Sequence, residues 1–138
     1  MRNKKGFTLI EMLVVIAIIA VLVSIIIPTV SSATTKAEAA TDAANLRSVL
    51  GYMNSVVMTQ EMTLDEATAS YEAPESKLYP NCELHVLYSH AGFIDVFFVD
   101  GTNYYGLDYL SDVAQNSKSS LSTAKPATEA GDAWYKVG

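Results

Sequence analysis

The pattern of hydrophobic and polar residues divides the N-terminal part of the chain into stretches with different periodicity. Residues 12–27 contain no charged side chain, so a helix there is apolar around its whole circumference. After Pro28 the charged residues Lys36, Glu38, Asp42 and Arg47 alternate with small ones. The small residues recur at intervals of three and four, at Ala33, Ala37, Ala40 and Ala44. This spacing predicts an amphipathic helix with the charged residues largely on another face.

Larger apolar side chains continue the helical stripe further along the chain. They are Leu46, Val49, Leu50, Met53, Val56 and Val57, and the predicted stripe runs on to the polar Gln60. We predict that this face covers a sheet. A continuous helix over residues 7–60 would be about 80 Å long, far longer than a core of this size requires. Much of it must therefore contact lipid or other subunits.

The remainder of the chain has the signals of a small antiparallel sheet with short helices. Thr63 and Glu66 have capping-box spacing, and alternation over 84–88 and β-forming residues over 93–99 predict two strands. Asp100-Gly101 predicts a two-residue hairpin turn, which places Ile94 opposite Leu107 and Val96 opposite Tyr105. A short helix over 108–115 and a final strand or tether over 133–137 complete an α+β fold.

Composition and charge narrow the class of protein. Half of the 138 residues are hydrophobic, which excludes a disordered chain. The net charge is -6, and from Ser31 onward six basic residues face fourteen acidic ones, which argues against a nucleic-acid-binding domain unless Lys118, Lys125 and Lys136 cluster. The single cysteine, Cys82, excludes a disulfide within the chain.

The N-terminus has the order of a membrane-targeting segment. Arg2, Lys4 and Lys5 precede an apolar run, and residues 7–27 would span about 32 Å as a helix, enough to cross a bilayer. No small-x-small cleavage site precedes Pro28, so we expect the segment to be retained. Glu11 is an acid near the start of this run. It either reaches toward lipid headgroups or pairs with a positive charge from another copy.

The residues Lys-Lys-Gly-Phe-Thr-Leu-Ile-Glu-Met-Leu at 4–13 resemble the class III signal of type IV pilins and pseudopilins. The resemblance implies a pilin fold, with one long N-terminal helix on a small antiparallel sheet. It divides the chain into a cleaved leader (1–6), a transmembrane and polymerisation helix (7–30), an amphipathic second half of that helix (31–60) and a globular head (61–138).

The resemblance also implies how the N-terminus is processed and used. A prepilin peptidase would cut between Gly6 and Phe7 and methylate the new amine of Phe7, and Glu11 would set the register between subunits. Pro28 would bend the helix because the carbonyl of Ser24 loses its donor. Ala20 stands where many relatives have glycine. Implied partners are further copies of this chain, the membrane, the peptidase, an assembly platform and minor pilins, with no nucleic acid and no cofactor.

The head offers weak candidates for metal binding and none for catalysis. Asp100, Asn103, Asp108 and Asp112 are oxygen donors within a short span, but they lack EF-hand spacing, and turn or capping roles explain Asp100 and Asp108 equally well. Cys82, His85 and His90 lack a fourth zinc ligand, and strand alternation puts Cys82 and His85 on opposite faces. No catalytic motif is present, so we expect a structural protein rather than an enzyme.

The expected function is a subunit of a surface pilus that starts as a single-pass protein of the cytoplasmic membrane and acts in adhesion, motility or biofilm formation. Two alternatives remain open: a pseudopilin of a type II secretion or competence DNA-uptake system, and a membrane-tethered adhesion protein that never polymerises. The absent disulfide favours a Gram-positive lineage.

Overall fold

A computed structural model describes residues 5–138 of the chain, so Arg2 and Lys4 of the expected leader lie outside the described residues. Three helices and four strands follow one another: α1 (Leu9–Thr59), α2 (Leu64–Ser70), β1 (Glu83–Tyr88), β2 (Ile94–Asp100), β3 (Asn103–Gly106), α3 (Leu107–Asn116) and β4 (Ala133–Lys136). The strands form one antiparallel sheet in the order β3-β2-β1-β4. The predicted α+β fold, a long N-terminal helix with a small antiparallel sheet, is confirmed.

The chain forms two compact units, Met1–Thr34 and Thr35–Gly138, and α1 contributes to both. In the first unit the large apolar side chains are exposed, and α1 is long and apolar enough to cross a membrane. Ser24 and Thr29 donate their hydroxyls to helix carbonyls, to Val21 at 2.7 Å and Ile25 at 3.0 Å, so neither hydroxyl needs water. The predicted domain limits at residues 6, 30 and 60 stay predictions.

In the second unit, α1 buries one stripe in the core. Its buried residues are Ala39, Asp42, Ala43, Leu46, Val49, Met53 and Val56. The predicted stripe is correct for four of its members, but Leu50 and Val57 are half-buried and Gln60 is exposed. Gln60 instead ends the helix: its φ is 54°, and its N–H donates to the carbonyl of Val56 at 3.0 Å.

Two parts of the helix stripe differ from the prediction. The predicted stripe of small residues is exposed at all four positions, Ala33, Ala37, Ala40 and Ala44. The alanines that line the core are Ala39 and Ala43. Asp42, expected on the polar face, is fully buried. Asp42 falls three residues after Ala39 and four before Leu46, so it continues the buried stripe in helical spacing.

The β2–β3 hairpin forms where predicted, but its register was predicted two residues out of place. Phe98 lies opposite Tyr105 and Asp100 opposite Asn103, so the loop is Gly101-Thr102 rather than Asp100-Gly101. Neither Ile94 opposite Leu107 nor Val96 opposite Tyr105 occurs. Gly101 has a φ of 66° at the first loop position, where a type II′ turn requires glycine. A shift by two residues preserves the sheet faces, so Val96, Phe98 and Tyr105 still share the core.

The remaining predicted elements are confirmed. Thr63 caps α2 in a reciprocal capping box with Glu66, α3 lies where the third helix was expected, and the chain's last strand, β4, pairs with β1. Each face of the sheet carries a cluster. The main core faces α1 and includes Leu46, Met53 and Phe98, and a smaller cluster of Leu87, Phe97 and Val99 packs with Tyr104 and Trp134.

Candidate functional site

The bond between Gly6 and Phe7 lies in the short non-helical stretch that precedes α1. Phe7 is 83% exposed, and the space around Gly6 is open, since a Cβ there would meet no other atom within 4 Å. This stretch therefore offers an exposed, unobstructed backbone, which is what a peptidase needs to bind. Lys5, a basic residue of the expected leader, is exposed beside this bond.

Glu11 is held at the first turn of α1 by Thr8. The Thr8 backbone N–H and its hydroxyl donate to Oε2 of Glu11 at 2.7 and 3.0 Å, and the Glu11 N–H donates to the Thr8 hydroxyl at 3.3 Å. This reciprocal pattern is a capping box. Its sequence signal, threonine three residues before glutamate, is the same one that identified Thr63 and Glu66. The carboxylate therefore already has partners within its own chain, next to Phe7.

Between Met12 and Val30 the surface of α1 is largely apolar, and the other described residues leave its large apolar side chains exposed. A shallow groove of about 370 Å³ runs along it between Leu13, Val14, Ala17, Ile18, Val21 and Leu22. The helix continues through Pro28 without a break in its secondary structure, and the bend at Pro28 stays a prediction. Such a surface can be covered by lipid or by other apolar helices.

Comparison with known proteins agrees with this geometry. Residues 1–27 match the family described as the prokaryotic N-terminal methylation motif. A 62-residue segment is 48% identical to the type IV wide pilus major component PilA4 of Thermus thermophilus. The resemblance to type IV pilins is confirmed. The matched segment covers 45% of this chain and 42% of PilA4, so the chain spans less than half the length of that relative. No solved structure gives a significant match.

Three of the four candidate oxygen donors of the head are engaged in local hydrogen bonds, namely Asp100, Asn103 and Asp112, whereas Asp108 is exposed. Asp100 accepts from the Asn103 side chain at 3.0 Å and from the Tyr105 hydroxyl at 3.2 Å, and the Asn103 bond lowers the pKa of Asp100. Asp112 accepts from Ser119 and Asn116 at 2.7 Å each, which lowers its pKa. Within residues 5–138, His, Cys, Asp and Glu form no group of three or more that could hold a metal ion.

Cys82, His85 and His90 have separate surroundings. Burial, with the charges of Asp100 and Asp42, raises the pKa of the Cys82 thiol to about 11, so it is protonated at neutral pH. His85 lies 3.5 Å from Glu83, and His90 contacts Asp132 and Glu129. Lys125 lies over the Trp134 ring and Lys136 pairs with Glu83, so these two cations have separate partners.

Sequence reasoning missed a buried polar network around Asp42. Its carboxylate accepts hydrogen bonds from the Ser76 hydroxyl at 2.5 Å and from the backbone N–H groups of Lys77 and Leu78 at 2.7 and 3.0 Å. Ser76 in turn accepts from the N–H of Tyr79 at 2.9 Å. These bonds fix the loop that follows α2 onto α1.

Proposed function

We propose that this chain is the structural subunit of a type IV pilus. It is inserted in the cytoplasmic membrane, cut after Gly6 by a prepilin peptidase, methylated at Phe7, and polymerised through α1 by an assembly platform. The product is a surface filament that serves adhesion or motility. The role is structural and needs no cofactor.

One observation carries the proposal: the other described residues leave the apolar surface of α1 up to Val30 uncovered, and this surface directly follows the segment Phe7-Thr8-Leu9-Ile10-Glu11. Each large apolar side chain from Leu13 to Val30 is at least 44% exposed. The free energy gained when such a surface is buried away from water is proportional to its area. Further copies of the same helix offer a matching apolar surface against which it can pack in lipid. The match of residues 1–27 to the methylation motif supports the same reading.

Glu11 supplies the register in this proposal. Cleavage after Gly6 would remove three basic residues and change the side-chain charge from -6 to -9, that is, 6 basic minus 15 acidic. The new amine of Phe7 then lies close to Glu11 in sequence and can reach the carboxylate of a neighbouring copy shifted along the helix axis. A charge pair in a low-dielectric surrounding favours one register because other registers leave both charges unpaired.

N-terminal analysis of protein sheared from the cell surface tests processing and assembly together. A filament fraction whose chains begin with methylated Phe7 is the expected result. Lost secretion or DNA uptake without surface filaments would identify a pseudopilin. Chains that remain monomeric in the membrane, with residues 1–6 attached, would identify a tethered protein.

The register role of Glu11 has its own test. Glu11→Ala should reduce filament yield by about tenfold or more, because the neighbouring amine loses its counter-ion. Thr8→Ala is the matched control, since it removes the cap and keeps the charge. Equal losses in the two variants would show that Glu11 acts through helix capping, and a normal yield from Glu11→Ala would refute the register role.

A further inference from the structure

The head has an aromatic groove on the sheet face opposite the main core. It has a volume of about 390 Å³ and runs between strands β2 and β3 and the loop that follows α3. Phe97 and Tyr104 form its floor, Leu121 and Pro126 form the loop side, and Asp95 and Asp108 lie along it. The Phe97 ring packs directly against Gly106, where a Cβ would come within 2.9 Å of the ring.

The groove combines an apolar floor with negative charge. Burial raises the pKa of Asp95, and the nearby charge of Asp108 raises it further, although the Val96 N–H donates to Asp95 at 2.9 Å. Within residues 5–138, neither Asp95 nor Asp108 forms an ion pair with a basic side chain. Two like charges in one groove are relieved by a cation. A lysine side chain fits, because its methylene stem covers aromatic carbon while its ammonium reaches the carboxylates.

The head itself displays one lysine that suits this groove. Of the six basic residues from Ser31 onward, Arg47 donates to Ser111, Lys125 covers Trp134, and Lys136 pairs with Glu83. Lys36 is half-buried on α1, and Lys118 belongs to the same loop that forms the groove wall.

Lys77 is exposed, and it forms no ion pair within the part of the chain that the structure describes. Its backbone N–H is fixed by the buried Asp42 at 2.7 Å. Because this backbone is already fixed, docking has to order only the lysine side chain and not the loop that carries it, which favours a specific contact.

We infer that Lys77 of one copy inserts into the groove between Asp95 and Asp108 of a neighbouring copy, so that the heads make a directional contact in the assembled filament. This inference rests on the proposed function, because it requires copies of the chain to lie side by side. The two surfaces are different patches, so the contact is heterologous and can be repeated along a helical assembly. It also pairs a scarce cation with an excess of acids, which reduces repulsion between heads that each carry four basic and twelve acidic residues over 61–138.

Zero-length cross-linking of intact filaments with a carbodiimide tests the contact directly. The expected product is a covalent dimer that survives denaturing electrophoresis and contains an amide between Lys77 and Asp95 or Asp108, identified by mass spectrometry. Lys77→Ala should abolish this dimer without changing the melting temperature of the head. A dimer that persists in Lys77→Ala, or one joined through other residues, would overturn the inference.

Charge reversal provides an independent readout. Lys77→Glu and Asp95→Lys should each reduce filament yield by about tenfold, and the double variant should restore most of it, because the pair is re-formed in the opposite sense. Lys136→Glu makes the same charge change on an exposed lysine of β4 that does not line the groove, and it should leave the yield unchanged. An equal loss in Lys136→Glu, or no recovery in the double variant, would refute the contact. Absence of any polymer from the unmodified chain would instead refute the proposed function.

Discussion

Asp42 shows how a single buried carboxylate can connect a helix to a loop. It has no exposed surface, and it accepts three hydrogen bonds from Ser76, Lys77 and Leu78. Asp42→Ala leaves these donors unsatisfied in the interior, and we expect a loss of about 3 kcal/mol of unfolding free energy. Urea unfolding of the detergent-solubilised chain measures it. Glu38→Ala, on the same helix but only half-buried, should change stability by less than about 0.5 kcal/mol. Similar losses in both variants would contradict the role of the network.

Asp132 makes the stability of the head depend on pH. Hydrogen bonds from the backbone N–H groups of Glu129 and His90, at 2.8 and 2.9 Å, and from the His90 ring lower its pKa to about 2. A carboxylate with a lowered folded-state pKa stabilises the fold above its unfolded pKa of about 4, and the contribution is lost as pH falls toward 2. In Asp132→Asn the urea midpoint should therefore fall less between pH 5 and pH 2 than in the unmodified chain. The exposed Glu72→Gln should keep the full pH dependence. An unchanged profile in Asp132→Asn would refute this assignment.

At the scale of elements, β4 holds the C-terminal segment to the head. Four of its residues pair with β1, Val137 is 3% exposed, and the Gly138 N–H donates to Thr68 at 3.1 Å. Removing residues 134–138 should lower the melting temperature by more than about 10 °C, since a sheet strand and a core side chain are lost together. Lys136→Ala removes only the exposed ion pair with Glu83 and should shift the melting temperature by a few degrees at most. A truncated chain that melts normally would show that β4 is not required.

Elements with strong local signals could be predicted, whereas their exact pairing could not. The capping box at Thr63, the apolar stripe of α1 and the faces of the hairpin follow from spacing alone. The register depended on whether Gly101 occupies the first or second loop position. That choice was decided by Asp100, whose carboxylate accepts from both Asn103 and Tyr105 and so keeps Asp100 paired with Asn103.

The missed features of the N-terminus and core had signals that were present but not used. Thr8 and Glu11 have the same capping-box spacing as Thr63 and Glu66. The apolar residues around Glu11 instead favoured the interpretation that its partner lies in another copy of the chain. Asp42 lies on the buried stripe by helical spacing. Its partners at 76–78 are more than thirty residues away, so the sequence could not show that a charged group there would be satisfied.

At the scale of the whole molecule, the division at residues 34 and 35 predicts that the second unit folds alone. Every buried core residue of the described chain, from Ala39 to Val137, belongs to that unit, whereas the large apolar residues of the first unit are exposed. A chain of residues 35–138 should therefore be a soluble monomer with cooperative unfolding, while the full chain requires detergent, because the uncovered apolar surface has been removed. Sedimentation and thermal unfolding measure both properties. A chain that starts at Leu46 also loses Ala39, Asp42 and Ala43. It should fail to fold cooperatively, because Ser76 in the loop that follows α2 loses Asp42 as its buried hydrogen-bond acceptor. If the 35–138 chain aggregates or unfolds without cooperativity, the first unit contributes to the stability of the head as well as to its attachment.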